Sequence, residues 1–147
     1  MPLKKKYGRP AWWVLCALWL AVIFGHSLMP ADLSKAESLG LLARLTTAHP
    51  FLTDHLLRKF AHFSEFALLG LLLSQCFRAG FVSPVLAALL CALSDETIQL
   101  HVLGRSGQVR DVWIDFAGAL VTIGLTFLVR TVARRVRSGR PGPGESA

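Results

Sequence analysis

The sequence has few charged residues for its length, and it lacks any pair of cysteines at metal-binding or redox spacing. Charged residues make up 17% of the 147 residues and hydrophobic residues 53%, with a mean hydropathy of +0.50. This balance is not that of a soluble domain but is typical of a small membrane protein with several spans. The three cysteines, Cys16, Cys76 and Cys91, lie in apolar runs without a C-x-x-C pair, which argues against a disulfide framework and a zinc site. We therefore expect a single membrane domain.

Positive charge is nearly missing from the apolar blocks, although the net charge is +7. Lys and Arg crowd the two tails, and basic ends that flank apolar spans are typical of membrane anchoring and topology signals. This distribution argues against a nucleic-acid interface. We expect no nucleic acid among the partners.

Four apolar blocks occupy residues 11–29, 60–77, 81–100 and 112–129. Each is close to the roughly 20 residues needed to cross a bilayer. They predict an all-α fold, a four-transmembrane-helix bundle over residues 11–129. A basic N-terminal tail at 1–10 and a basic, disordered C-terminal tail at 130–147 flank it. The basic segment that precedes the first block resembles the start of a signal peptide. The block itself is long and is not followed by a small-x-small cleavage site, which favours a retained helix.

The connections between the blocks differ in length. Only "RAG" separates the second block from the third, so we expect a tight helical hairpin. Gly80 supports its turn, and Pro84 lies in the first turn of the next helix, where its missing N–H costs little. Residues 30–57 form a longer connection that contains a candidate amphipathic helix, "LSKAESLGLLARL".

The orientation follows from the distribution of Lys and Arg. Both tails and the second connection together contain ten of these residues, and the first and third connections with their flanks contain six. Because cytoplasmic segments carry the excess of positive charge, we expect both termini in the cytoplasm.

Polar side chains within the apolar blocks collect at the predicted outer ends of the helices. Three stripes with helical spacing contain them: Arg58, His62 and Glu65 on the second predicted helix; Asp95 and Gln99, with Glu96 beside them, on the third; Asp111, Asp115, Gly118 and Thr122 on the fourth. An ionised residue at the centre of a membrane helix costs about 2.5–3.5 kcal/mol, and less near its ends or beside a partner. The stripes therefore predict a polar pocket open to the outer surface. The alternative is that they only join helices, at ~0.6 kcal/mol per hydrogen bond.

The loop "LGRSGQVR" brings Arg105 and Arg110 to the mouth of this pocket, together with two glycines. Guanidinium groups and exposed backbone N–H groups suit a phosphate or an anionic headgroup, whereas the alternative is an ordinary basic connection near lipid. The inner halves of the second and third helices offer only Ser74, Gln75 and Ser83 as polar groups. Ion or proton translocation needs polar groups through the full depth, so we rank it last.

Three motifs in this order, "RKFAHFSEFALLG", "SDETIQLHVLGR" and "RDVWIDFAGA", resemble the VanZ-like family of small bacterial membrane proteins. The resemblance covers residues 58–124. The positions that match its pattern are Lys59, His62 and Glu65; Asp95, Glu96 and Gln99; Gly104 and Arg105; Asp111, Asp115 and Gly118. Two positions depart from it: Leu103 replaces the usual proline and His101 an aromatic residue. The loop is therefore expected to be more flexible than in relatives.

The resemblance implies a multi-pass protein of the bacterial cytoplasmic (inner) membrane, in a family whose founding member is associated with resistance to the glycopeptide teicoplanin. We expect the pocket to bind, or to modify, a polar lipid or lipid-linked glycan with an anionic headgroup. Whether the protein is an enzyme stays open. The alternative is a non-catalytic structural or accessory protein whose polar cluster locks the bundle.

The residues expected to carry this function fall into two groups. The candidate catalytic residues, as general acids or bases, are His62, Glu65, Asp95 and Glu96. The candidate substrate-binding residues are Lys59, Gln99, Arg105, Asp111 and Asp115. No cofactor is evident from the sequence. A divalent cation held by carboxylates with His62 is an alternative, although no spacing fixes its ligands.

Overall fold

The computed structural model describes residues 9–45, 53–105 and 107–138. Five helices account for most of them: α1 (Pro10–Ser27), α2 (Ala31–Leu45), α3 (Asp54–Cys76), α4 (Val82–Leu100) and α5 (Val109–Ser138). The described part of the chain contains no β-strand, which confirms the all-α fold. The basic N-terminal tail at residues 1–8 and the final segment 139–147 lie outside the described residues.

The helix boundaries follow local sequence signals. Pro10 is the first residue of α1, where a missing N–H costs no helical hydrogen bond. Thr53 caps α3, because its side-chain oxygen accepts a hydrogen bond from the Leu56 N–H at 3.3 Å. The short turn between α3 and α4 contains Gly80, and Pro84 lies buried in the first turn of α4, which confirms the predicted hairpin. The candidate amphipathic segment in the first connection is also helical, as α2.

The last helix is longer than expected. The fourth apolar block ends at residue 129, whereas α5 continues to Ser138. The prediction of a disordered tail is therefore wrong for residues 130–138. The segment "RTVARRVRS" has no glycine or proline, and Arg and Ala are good helix formers, so an existing helix propagates through it at little cost.

Helix α3 lies at the centre of the bundle and contacts each of the other four helices. Its apolar residues Phe66, Leu69 and Cys76 are fully buried. The closest approach is to α5, because a Cβ at Gly118 would collide with the Phe63 carbonyl and a Cβ at Gly70 would collide with the Ala119 backbone. Small residues at such a crossing let two helix backbones touch.

By length and composition, three of the described helices are candidates for crossing a membrane: α1, α4 and α5. Helix α3 is long enough at 23 residues, but Arg58, Lys59, His62 and Glu65 lower its hydropathy. The same polar residues form the cluster described below.

Candidate functional site

The polar side chains of the bundle collect at one end, where α1 and α4 finish and where α3 and α5 begin. Adjacent antiparallel helices bring the end of one beside the start of the next. The stripes predicted on α3, α4 and α5 therefore lie at the same level, and the last turn of α1 joins them.

Lys59 and His62 of α3 face two aspartates of α5. Lys59 Nζ donates a hydrogen bond to Asp111 Oδ1 at 2.9 Å, and His62 Nδ1 lies 3.4 Å from Asp115 Oδ1. The second contact has the distance of an ion pair without the geometry of a hydrogen bond. Neither Asp115 oxygen has a hydrogen-bond partner within the described ranges, although Asp115 is 0% exposed. Buried carboxylates without partners are rare, so Asp115 requires an explanation.

Asp95 of α4 is also fully buried, but both of its oxygens are engaged. Oδ1 accepts a hydrogen bond from the Ser27 hydroxyl of α1, and Oδ2 accepts one from Gln99 Nε2 at 2.8 Å. These two donors fix the orientation of the carboxylate. Its position is therefore set by two helices at once.

The two glutamates of the cluster point away from this centre. Glu65 Oε1 lies 2.8 Å from His26 Nδ1, and the Glu65 carbonyl accepts a hydrogen bond from Trp19 Nε1 at 2.9 Å. Glu96 Oε2 accepts a hydrogen bond from the backbone N–H of Gln108 at 2.8 Å, which ties the loop to α4. Glu96 Oε1 is buried without a hydrogen-bond partner in the described chain.

A cavity of about 200 Å³ opens at this end of the bundle. Its lining comes from α2, α3, α4, α5 and the loop between the last two: Ala31, Ser34, His55, Arg58, Lys59, His62, Gln99, Gly104, Arg105, Gln108, Asp111 and Ile114. Drug-sized ligands occupy about 300–1,000 Å³, so this volume suits a headgroup-sized ligand rather than a whole lipid. The lining contains three permanent cations and one carboxylate, and is therefore positive.

Arg105 lies half-buried in the cavity wall. Its guanidinium has no hydrogen bond or ion pair to any residue that the structure describes. The two carboxylates expected as internal alternatives have other contacts, since Asp111 pairs with Lys59 and Glu96 accepts from Gln108. Burial lowers the pKa of Arg105 from its ordinary value; the carboxylate of Asp95 opposes this effect and the charge of Arg58 adds to it. Arginine stays protonated under such shifts, so the cavity contains a half-buried cation without an internal counterion among the described residues.

The sequence matches the VanZ/LLP1 family over residues 12–130. The chain belongs to this family. The match extends beyond the motifs at 58–124 to include most of α1. Searches of curated proteins and of solved structures find no match to the chain.

The polar residues of the VanZ/LLP1 motifs divide into three groups in the structure. Lys59, His62, Gln99, Arg105 and Asp111 line the cavity. His62 also belongs to a second group with Asp95 and Asp115, whose ligand atoms lie within 4.8 Å of one another. Glu65 and Glu96 belong to neither group, and contact α1 and the loop.

Two residues of the site come from outside the recognised motifs. At the end of α1, His26 contacts Glu65 and Ser27 contacts Asp95. From the sequence alone, an isolated histidine such as His26 is more often a residue of the membrane interface than a ligand. His26 and Ser27 have no periodic polar partner on α1, so the sequence offers no signal beyond their position at the outer end of a span.

The loop of this VanZ/LLP1 protein turns at Gly104, which has a φ of +76°. That conformation favours glycine because a Cβ is strained there. Leu103, which replaces the usual proline, is 89% exposed, and the Leu103 carbonyl accepts a hydrogen bond from Ala31 N at 3.4 Å. This contact joins the loop to the start of α2, and Gly104 and Ala31 both line the cavity.

Proposed function

We propose that the protein is a multi-pass protein of the bacterial cytoplasmic membrane whose cavity binds the anionic headgroup of a polar lipid or lipid-linked glycan. The observation that carries this proposal is Arg105, a half-buried guanidinium in the cavity wall without an internal partner in the described chain. An anionic ligand would supply the missing counterion. The bilayer beside the cavity would supply that ligand.

The membrane part of the proposal is supported by the outward faces of the helices. Leu18, Leu90, Leu125 and Val129 are each more than half exposed on helices that have an apolar span. Such surfaces suit lipid rather than water. We include α3 as a fourth span, because Lys59, His62 and Glu65 contact other helices and its apolar half contains the buried Phe66, Leu69 and Cys76.

The orientation is proposed from the distribution of positive charge. Both tails carry most of the Lys and Arg, so both termini are in the cytoplasm and the cavity opens at the outer leaflet. The basic residues 130–138, as a helical extension, then lie at the inner surface, where anionic lipid attracts them.

The chemistry of the cavity favours a phosphate or carboxylate on the ligand. Arg105 offers a planar set of N–H donors that matches either group in a bidentate contact. Lys59 also lines the cavity, where its ammonium group pairs with Asp111 and can donate a further hydrogen bond. The small volume selects the headgroup, and the acyl chains would remain in the bilayer.

Lipids that co-purify with the protein test the proposal. Mass spectrometry of the full chain, purified in mild detergent, is expected to find an anionic lipid class enriched over the membrane extract. Arg105→Ala should reduce the enrichment about tenfold, because a charge-assisted contact contributes about 1.5 kcal/mol or more. Arg110→Ala removes the same charge from an exposed position outside the cavity and is the matched control. Equal lipid content in wild type and Arg105→Ala would overturn the proposal.

A second candidate is a non-catalytic structural or accessory protein. The observation that favours it is the set of side-chain contacts that join four helices: Ser27 with Asp95, His26 with Glu65, and Lys59 with Asp111. In that case the cluster locks the bundle and the cavity has no specific ligand. The two candidate functions predict different effects on thermal stability when an acid of the cluster is replaced by its uncharged amide.

An enzymatic form of the first proposal would use His62 with Asp95, Glu65 or Glu96 as general acid and base on the bound headgroup. The family resemblance adds an expectation of glycopeptide (teicoplanin) resistance. Antibiotic susceptibility of a bacterium that expresses the chain, compared with Arg105→Ala, checks that expectation.

A further inference from the structure

Beside the cavity, which His62 lines, three helices each contribute one side chain with a metal-binding atom. His62 of α3, Asp95 of α4 and Asp115 of α5 have ligand atoms that all lie within 4.8 Å of one another. We propose that these three residues form a binding site for a single divalent transition-metal ion. The site is separate from the cations that line the cavity mouth.

Burial gives the first argument for an ion. Asp95 and Asp115 are both 0% exposed, and two carboxylates in a dry interior repel one another unless positive charge lies between them. Lys59 is already paired with Asp111, Arg105 forms no ion pair with either carboxylate, and His62 can carry at most one positive charge for the two.

Missing hydrogen bonds give the second, independent argument. Neither oxygen of Asp115 has a hydrogen-bond partner among the described residues, and neither does His62 Nδ1. The two groups lie 3.4 Å apart in an orientation that does not form a hydrogen bond. Buried polar atoms without partners are uncommon, and a bound ion is one of the established reasons for them. All three atoms would be satisfied as metal ligands.

The surroundings of Asp95 give the third argument. Ser27 and Gln99 donate hydrogen bonds to its two oxygens and so hold the carboxylate towards the centre of the bundle. Metal sites typically contain residues that donate hydrogen bonds to the metal-binding side chains, because these bonds fix the orientation of the ligands. Each carboxylate oxygen keeps a second lone pair for a metal.

The donor set indicates which ions to expect. One imidazole nitrogen with two carboxylates suits Zn²⁺ or Mn²⁺, since imidazole favours the first and carboxylate the second. Bonds of about 2.0–2.2 Å place ligand atoms at most about 4.4 Å apart, so small side-chain rotations would close the site. Three protein ligands leave a coordination position open, which is typical of catalytic rather than structural metal sites.

Metal analysis of the purified full chain tests the proposal. After EDTA treatment and dialysis, the protein is titrated with ZnCl₂ and, separately, MnCl₂, and bound metal is counted by mass spectrometry. We expect about one ion per chain and a rise in Tm on binding. Asp115→Asn should abolish binding or weaken it at least a hundredfold. Asp32→Asn, the same change at an exposed aspartate of α2 that neither lines the cavity nor belongs to the metal-binding group, is the matched control and should bind as wild type.

Two further variants make the outcome independent of the folding of Asp115→Asn. His62→Gln removes the imidazole ligand and should also lose the ion. Ser27→Ala leaves all three ligands in place but removes a hydrogen bond that orients Asp95, so binding should weaken about 10–100-fold. Wild type without bound Zn²⁺ or Mn²⁺, or equal affinity in wild type and His62→Gln, would overturn the proposal. This result does not depend on a lipid ligand, because the titrations contain only the metal.

Discussion

Arg105 differs from Lys59, which also lines the cavity, because its guanidinium has no partner among the described residues. Lys59 is neutralised by Asp111 at 2.9 Å, so its charge is already compensated within the bundle. Burial of an uncompensated guanidinium disfavours the folded state, and its retention in the cavity wall is consistent with a role in binding. Whether binding depends on the planar shape of the Arg105 guanidinium, rather than on its charge alone, can be tested.

The first prediction concerns Arg105→Lys. Lysine keeps the charge but replaces a planar fork with a point donor, so a bidentate contact to phosphate or carboxylate is lost. We expect the anionic lipid enrichment in the Lys variant to fall about tenfold, nearly as far as in Arg105→Ala. Lipid mass spectrometry of the three purified proteins measures this. Wild-type lipid content in Arg105→Lys would mean that charge alone matters and that no shaped anion site exists.

The second prediction separates a binding site from an interhelical lock through Asp95 and Glu65. Asp95→Asn and Glu65→Gln keep the shape of each side chain, and the amide oxygen introduced by Glu65→Gln can still accept a hydrogen bond from His26. We therefore expect each variant to lose no more than about 1 kcal/mol of stability, near the value of one hydrogen bond. Thermal unfolding in detergent measures the stability, and lipid and metal analysis measure function.

The two candidates give different patterns in these variants. If Asp95 belongs to a site, Asp95→Asn loses metal while its Tm stays near that of wild type. If the cluster is a lock, both variants lose Tm and accumulation in parallel. That parallel loss would favour the structural candidate.

At the level of the helices, the site depends on how closely α3 and α5 approach. His62 and Asp115 belong to these two helices, and Gly118 lies about one turn beyond Asp115. The backbone contact at Gly118 with the Phe63 carbonyl sets their separation. Thr122 reinforces it, because its hydroxyl donates a hydrogen bond to the Ala67 carbonyl at 2.7 Å.

The third prediction is that Gly118→Ala forces α3 and α5 apart. The new Cβ would meet backbone rather than a flexible side chain, so the variant should lose about 1–3 kcal/mol of stability and bind metal more weakly. Gly124→Ala is the matched control on the same helix, because its Cβ would meet nothing within 4 Å. It should be neutral or stabilising by up to about 1 kcal/mol, since alanine favours a helix. Thermal unfolding of both variants checks this, and an unchanged Tm in Gly118→Ala would contradict the close contact.

The sequence predicts the helices well where an apolar block coincides with a helix, as in α1 and α4. It fails where a helix continues without an apolar signal. Helix α3 begins six residues before its block, at the Thr53 cap, and α5 extends nine residues beyond its block. Propensity and capping, which the apolar pattern does not report, set these boundaries.

The candidate site is likewise predicted only in part from the sequence. Helical spacing predicts which polar residues share a face, and so it finds His62, Asp95 and Asp115 without knowledge of the fold. It does not determine which faces meet, because that depends on the packing of the other helices around α3. The grouping of Glu65 with α1, the contribution of Ser27 and the missing partners of Asp115 therefore emerge only from the structure.

The molecule as a whole has two different ends. The cavity, the unpartnered carboxylate and Arg105 lie at one end, whereas the other has aromatic contacts such as Trp13 with Phe77 and a basic extension of α5. Ten of the sixteen Lys and Arg residues belong to segments assigned to the second end. The proposed outer-leaflet ligand depends on which end faces the cytoplasm.

The fourth prediction tests this orientation with single cysteines. Leu103→Cys lies at the cavity end at a position that is 89% exposed, and Arg137→Cys lies at an exposed position near the end of α5. A membrane-impermeant maleimide added to intact cells should label Leu103→Cys fully, and Arg137→Cys only after permeabilisation, because positive segments remain in the cytoplasm. The wild-type chain is the control for background, since Cys16 and Cys76 are buried and Cys91 is half-buried. The reverse labelling would turn the cavity towards the cytoplasm and exclude a headgroup of the outer leaflet, while leaving the metal site and its titration unaffected.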